Sequence, residues 1–187
     1  LVQWAADFDI SHGQASHVIA AFAIAYGVMQ LVYGPWGQRL GYVRLVTWAA
    51  GINAVLSVLT ALSPSLELLT ASRAAMGGIA ACIIPLCMAW MGDKVSYELR
   101  QQTLARLMSA TVTGLMAGQW FGGFAAQYLG WRWAFAALAL LFALATVLLY
   151  MSDMYQAWQP PENQATVTVM TYLQETMGLF KQQNTQR

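Results

Sequence analysis

The sequence predicts an all-helical, polytopic membrane protein with five transmembrane helices, and three observations carry that prediction. Only 9% of the 187 residues are charged, where a soluble globular domain carries about 25%. Hydrophobic residues make up 58% of the chain and the mean hydropathy is +0.49. The apolar residues gather into long runs free of Asp, Glu, Lys and Arg: residues 10–38, 45–66, 68–92 interrupted by Arg73, 107–131 and 133–152. About 20 apolar residues at 1.5 Å each cross a hydrocarbon core of about 30 Å, and so short a chain has no soluble core thick enough to bury five such segments.

The expected helices cover about 15–36, 45–63, 68–91, 107–129 and 133–151, with residues 1–151 forming one bundle and 152–187 a separate segment. The opening LVQWAADFD has neither a basic n-region nor an initiator methionine, so the first run is not a signal peptide and the chain is expected to lack its true start. The second and third helices meet at the 63–67 turn, and the fourth and fifth at the tight 130–132 turn. The last helix is apolar all round and is expected to face lipid. Beyond Met151, Pro160 and Pro161 stop any helix, and then Val167, Met170, Leu173, Met177 and Phe180 recur at helical spacing. That spacing predicts an amphipathic helix, lying on the membrane, leading into further helices or serving as a linker.

Basic residues accumulate on the cytoplasmic side of short loops. Arg39, Arg44, Lys94, Arg100, Arg106, Lys181 and Arg187 fall on one side, and Arg132 alone on the other, seven against one. The chain's N-terminus is therefore expected outside and its C-terminus in the cytoplasm, with Trp36, Trp131 and Trp133 at interfacial positions. An external start implies a preceding, sixth helix.

Composition excludes a disordered tail, a nucleic-acid binder and a fibre. A net charge of +1 selects no partner. Cys82 and Cys87 share one apolar run and read as small core residues. His12 and His17, with no neighbouring Cys or Glu pattern, read as surface residues rather than ligands, and no metal or cofactor is expected.

Arg73 is the most informative residue. It lies about 10 Å inside the third helix, where a charge costs about 2.5–3.5 kcal/mol unless it faces protein, water or an anion. It is expected to point inward, either to a central cavity or to backbone carbonyls between helices, with snorkelling as the alternative. No acid of this chain shares its depth. Tyr26 and Gln30 are four apart on one face and could reach the same cavity, while Asn53, Ser57, Thr60, Thr111, Thr113, Gln127 and Thr146 are polar residues that can bond locally. Gly114, Gly118 and Gly122, followed by Gly123, line one helix face and form a packing seam on which Gly118→Leu should be disruptive. Gln119 adds a polar group to that helix. Gly34, Gly37 and Gly41 permit tight paths in the first loop, where Arg39 and Arg44 stay at the surface, as a topogenic loop or a gate.

The stretch Gly34-Pro35-Trp36-Gly37-Gln38-Arg39-Leu40-Gly41-Tyr42-Val43-Arg44 resembles the signature loop between helices 2 and 3 of the major facilitator superfamily. Arg73-Ala74-Ala75-Met76-Gly77-Gly78 resembles that family's helix 4 motif, and Gly114 to Gly123 resembles the helix 5 motif of its antiporter branch. The 130–135 turn, Gly-Trp-Arg-Trp-Ala-Phe, is also a familiar family feature. The resemblance covers nearly all of residues 1–151 and implies helices 2 to 6, from the N-terminal six-helix half of a twelve-helix transporter. It implies a cytoplasmic gate at Gly34, Gln38, Arg39, Gly41 and Arg44, and proton coupling or substrate contact at Arg73, with Tyr26 and Gln30 beside it. Gln38 replaces the family's acid, removing a helix-end charge worth about 0.3–1 kcal/mol, and Gln119 replaces its proline.

The expected function is proton-coupled efflux of a small organic solute or drug by alternating access, in a bacterial cytoplasmic (inner) membrane. Its partners would be substrate, protons, the lipid bilayer, and the missing first helix and C-terminal half; no nucleic acid is involved. An uptake symporter and a truncated, non-transporting fragment are the alternatives. An enzyme is not expected, since no metal cluster, Ser-His-Asp set or paired intramembrane carboxylates occurs.

Overall fold

The computed structural model describes residues 2–33 and 40–152, and every described element is helical. In chain order they are α1 (Val2–Asp7), α2 (His12–Gln30), α3 (Tyr42–Ala61), α4 (Leu66–Ala80), α5 (Ile83–Lys94), α6 (Tyr97–Phe124), a π-helical turn (Ala125–Leu129) and α7 (Trp131–Tyr150). The expected amphipathic stretch at 167–180 and the residues Gly34, Trp36, Gly37, Gln38, Arg39, Lys181 and Arg187 lie outside the described residues.

Local chemistry sets most of the boundaries. α2 starts at His12, three residues before the expected 15, because Ser11 and Gln14 form a capping box: Ser11 Oγ accepts from the Gln14 N–H at 3.2 Å and Gln14 Oε1 from the Ser11 N–H at 3.0 Å. It ends at Gln30 rather than 36, ahead of Gly34 and Pro35. Gly41, at φ +88°, turns the chain into α3. The third expected helix is broken into α4 and α5 by a turn at Ala81 and Cys82. Pro85, which has no N–H to give, thereby falls in the first turn of α5 where none is needed. α6 begins at Tyr97, ten residues before its apolar run, with Glu98 in its first turn favoured by the helix dipole.

By length and composition three stretches can cross a bilayer: Tyr42–Ala61, the broken Leu66–Lys94, and Trp131–Tyr150. α2 and α6, with 19 and 28 residues, have the length but a more polar composition, so that measure supports three of the five expected crossings.

α3 packs chiefly on α7, and α2 on α4, while α3 also touches α4 and α5. What is buried inverts the rule for soluble proteins. The inner face of α3 is Ala49, Ala50, Asn53, Ser57 and Thr60, whereas Trp48, Ile52, Val55, Val58 and Leu59 are exposed. Each buried polar side chain bonds back to its own helix: Asn53 Nδ2 to the Ala49 carbonyl at 2.9 Å, Ser57 Oγ to that of Asn53 at 2.7 Å, and Thr60 Oγ1 to that of Leu56 at 2.8 Å. Thr60 Oγ1 also lies 2.9 Å from Ser72 Oγ, joining α3 to α4. Small and hydroxylated residues inside with large aliphatic ones outside is the pattern expected where lipid is the solvent. α7 exposes Leu140, Leu141, Leu144, Val147 and Leu148, in keeping with a lipid-facing helix, although Ala139 is buried and Thr146 approaches Gly51 of α3.

α1 lies across one end of the bundle. Its Trp4 meets Trp131 edge to face at 6.1 Å, and Asp7 accepts from Trp131 Nε1 at 2.8 Å and pairs with Arg132 at 2.9 Å. Gln3 accepts from the Trp131 N–H at 2.9 Å and donates to the Ala126 carbonyl, so one side chain serves two groups that the helix ends leave unpaired.

α2 and α4 run parallel and come closest at Gly77. A Cβ there would overlap the Phe22 carbonyl oxygen, so the two backbones are in direct contact. Around Gly118 nothing lies within 4 Å among the described residues. Gly77→Ala should therefore lower the thermal midpoint of the detergent-solubilised chain by the equivalent of about 1–3 kcal/mol, while Gly118→Ala leaves it unchanged or slightly raised. The opposite ranking in a melting assay would contradict this packing.

Candidate functional site

The site is built around Arg73, on the second turn of α4. Gly77 is one turn further on the same face. Because Gly77 admits the α2 backbone, Phe22 is drawn against α4 and its ring covers the guanidinium, with the central carbon 4.5 Å from the ring centre. Phe135, one turn into α7, covers the guanidinium from another helix at 5.3 Å. Arg73 is thus half-buried and held by aromatic faces from two helices, a cation–π arrangement worth about 2 kcal/mol or more where water is excluded. Its Nε is buried without a hydrogen-bond partner among the described residues, and no carboxylate among them pairs with it.

Tyr26 joins this layer through Phe22, the rings stacked at 6.1 Å and 21°. Gln30 does not: it is exposed at the end of α2, eight residues beyond Phe22. A cleft of about 550 Å³ between α2 and α4 opens at the α1 end; Gln14, His17, Glu67 and Thr70 place polar groups along a mostly apolar wall of Leu66, Ala71 and Ala74, the last next to Arg73 in sequence. His17 is exposed at this mouth, as expected of a surface residue.

Of the expected gate residues Gly41 and Arg44 fall among the described residues, where Gly41 supplies the positive φ before α3 and Arg44 is half-buried in its first turn. Gly34, Gln38 and Arg39 lie outside them. The glycine face of α6 is present as a face, but a Cβ at Gly114, Gly118, Gly122 or Gly123 would meet nothing within 4 Å, and α6 buries no residue at all. α6 continues as regular helix through Gln119, and its disturbance comes later, in the π-helical turn at Ala125–Leu129. Among the described residues no cluster of His, Cys, Asp and Glu could hold a metal ion.

Two features of the site carry little signal in the residues alone, and a third, Asn53, is legible there only as a polar residue able to bond locally. Phe22 and Phe135 gave no signal, since an aromatic in an apolar run looks alike whether it covers a cation or faces lipid. The Asp7 to Arg132 pair joins residues 125 apart, although an acid and a base on the same predicted side could have been matched. Asn53, only 1% exposed, keeps Oδ1 without a partner among the described residues.

Comparison with known proteins bears on what this arrangement is. The model of the Major Facilitator Superfamily matches residues 1–181. Multidrug resistance protein 1 of Bacillus subtilis is 27% identical over 158 residues, which cover 84% of this chain and 40% of that protein. The bicyclomycin resistance protein homolog of Haemophilus influenzae is 23% identical over 78% of this chain and 37% of its own length. The probable multidrug resistance protein EmrY of Escherichia coli is 26% identical over 67% of this chain and 24% of its length. The chain spans at most about two-fifths of these relatives.

If Phe22 holds Arg73 through its ring face, Phe22→Leu and Arg73→Met should be coupled by about 0.5–2 kcal/mol in a double-mutant cycle on melting of the chain. Additive effects of the two substitutions would show that the contact carries no energy.

Proposed function

The chain belongs to the Major Facilitator Superfamily, an integral-membrane family of transporters and not of enzymes, and from that premise we propose that it is part of a proton-coupled exporter of small organic solutes. Several relatives are named for drug resistance, which supports efflux over uptake. In this reading α2, α3, the broken α4–α5, α6 and α7 are helices 2 to 6 of a twelve-helix protein in a bacterial cytoplasmic membrane. The α1 end faces outward, and the end bearing Arg44, Lys94 and Arg106 faces the cytoplasm, following the distribution of basic residues.

The observation that carries the reading is Arg73. A cation placed inside the bundle, covered by Phe22 and Phe135 and with Nε unpartnered, is positioned to stabilise a carboxylate in its ionised form. Proton exchange then couples to transport if the acid lies on the helices that complete the transporter. Protonating it would weaken its hold on Arg73, and deprotonating it would restore that hold. The cleft that passes His17 and Glu67 to Ala74 supplies an approach from outside with polar side chains along it. Tyr26 lies in the same aromatic layer and would contact substrate there; Gln30, at the other end of α2, would line its cytoplasmic side.

The loop residues Gly34, Gln38, Arg39, Gly41 and Arg44 form the cytoplasmic gate in this reading, with Gln38 contributing a neutral hydrogen bond in place of a charge. The open face of Gly114, Gly118, Gly122 and Gly123 seats helices from the rest of the transporter, and Gln119 lies beside it. Alternating access needs two halves moving about a midplane site. The activity is therefore assigned to the complete protein, of which these residues would provide most of one half.

In everted vesicles containing the complete protein, Arg73→Ala should reduce dye-driven proton release by about tenfold or more while leaving the amount of inserted protein unchanged. A panel of lipophilic cationic dyes would serve as probes. Wild-type flux in that variant would remove Arg73 from coupling.

A further inference from the structure

A second cleft, of about 320 Å³, lies at the opposite end of the bundle from α1, between α3, α5, α6 and α7. Its walls are Val43 and Val46 of α3, Leu86 and Trp90 of α5, and Leu107 of α6, with Arg106 at the edge. No part of the transport reading uses it. Such a space is too apolar to hold ordered water, which needs two to four polar partners.

The level of the cleft is fixed by the helix ends around it. Tyr42 and Val43 open α3, Met91 lies in the last turn of α5, and Leu149 is the penultimate residue of α7. These residues stand where the bundle meets the headgroup region, with a tryptophan at the depth tryptophans favour. On the α7 side, Leu144, Val147 and Leu148 are exposed, a surface suited to hydrocarbon.

The charges at this end are unequally committed. Arg100 donates to the Gly92 and Val95 carbonyls at 2.8 and 3.4 Å, and Asp93 accepts the Tyr42 hydroxyl at 2.9 Å. Arg106, also exposed, has no hydrogen bond or ion pair among the described residues. An apolar slot open toward lipid with an uncommitted guanidinium at headgroup level matches one class of ligand on both counts. We propose that the cleft holds an acyl chain of an anionic phospholipid whose phosphate pairs with Arg106. This rests on the protein's place in the membrane and not on the direction or coupling of transport.

Native mass spectrometry of the delipidated 187-residue chain, reloaded from micelles doped with phosphatidylglycerol or with phosphatidylcholine of the same acyl chains, tests the assignment. Phosphatidylglycerol should be retained about fivefold more strongly, the ratio given by about 1 kcal/mol for one basic residue. Arg106→Gln should bring it down to the phosphatidylcholine level and Arg106→Lys should not, which separates loss of charge from loss of fold. Val46→Trp, filling the slot, should lower retention of both lipids. Equal retention of the two lipids by the wild type, or unchanged selectivity in Arg106→Gln, would overturn the proposal. So would absence of bound lipid together with disulfide formation to Cys87 in the Met177→Cys variant, which would assign the cleft to the chain's own 167–180 stretch.

Discussion

The contact on which the rest of the structure depends is the one between the Phe22 backbone and Gly77. Any side chain at Gly77 would overlap the Phe22 carbonyl, so the absence of a Cβ sets how near α2 and α4 can come. That separation is what lays the Phe22 ring over Arg73 and Tyr26 against Phe22. Between helices in lipid, where burial of apolar surface offers no driving force, close backbone approach and the dispersion it allows become the main source of affinity. A glycine one turn from an intramembrane arginine is therefore a packing device with an electrostatic consequence: it brings up the ring that makes the charge tolerable.

The same economy governs α3. Apart from Leu45 in its first turn, its buried residues are small or polar, and Trp48, Ile52, Val55, Val58 and Leu59 point away from the bundle. In water this helix would be inside out. In lipid the large side chains lose nothing by facing hydrocarbon, while Asn53, Ser57 and Thr60 satisfy themselves on the preceding turn and let α4 and α7 approach. The end capped by α1 is held differently, by Asp7 and Gln3 reaching groups on Trp131, Arg132 and Ala126, because there water competes and directional bonds to helix termini are what fix the chain.

Much of this was legible in the residues. The helical runs, the depth of Arg73 and the single face shared by Gly114, Gly118 and Gly122 follow from counting alone. The start of α2 is set by Ser11 and Gln14, a capping signal that lies upstream of the continuous apolar stretch from Val18. The division of α4 from α5 is hard to read from Pro85 and the preceding glycines, since membrane helices tolerate proline and the apolar run continues across the break. Phe22 and Phe135 could not be singled out, because which aromatic covers a cation is decided by packing between segments far apart in the chain. The glycine face of α6 was readable as a face, but what it packs against is a property of another element.

The manner in which Arg73 is held bears on what it can do. A buried guanidinium paired to a carboxylate within its own bundle would be neutralised and fixed, and breaking such a pair costs about 3–5 kcal/mol. Two ring faces supply attraction without neutralising the charge, and their interaction is of the order of 2 kcal/mol. Arg73 consequently keeps its full positive potential directed into the bundle at a depth where potential is little screened. An acid arriving on a neighbouring element could then compete for it with an energy change small enough to be reversible, which is what the proposed coupling role requires. In that role the cation has to be stable enough to stay in the membrane and weakly enough held to change partners, and aromatic walls meet both requirements where an internal salt bridge meets only the first.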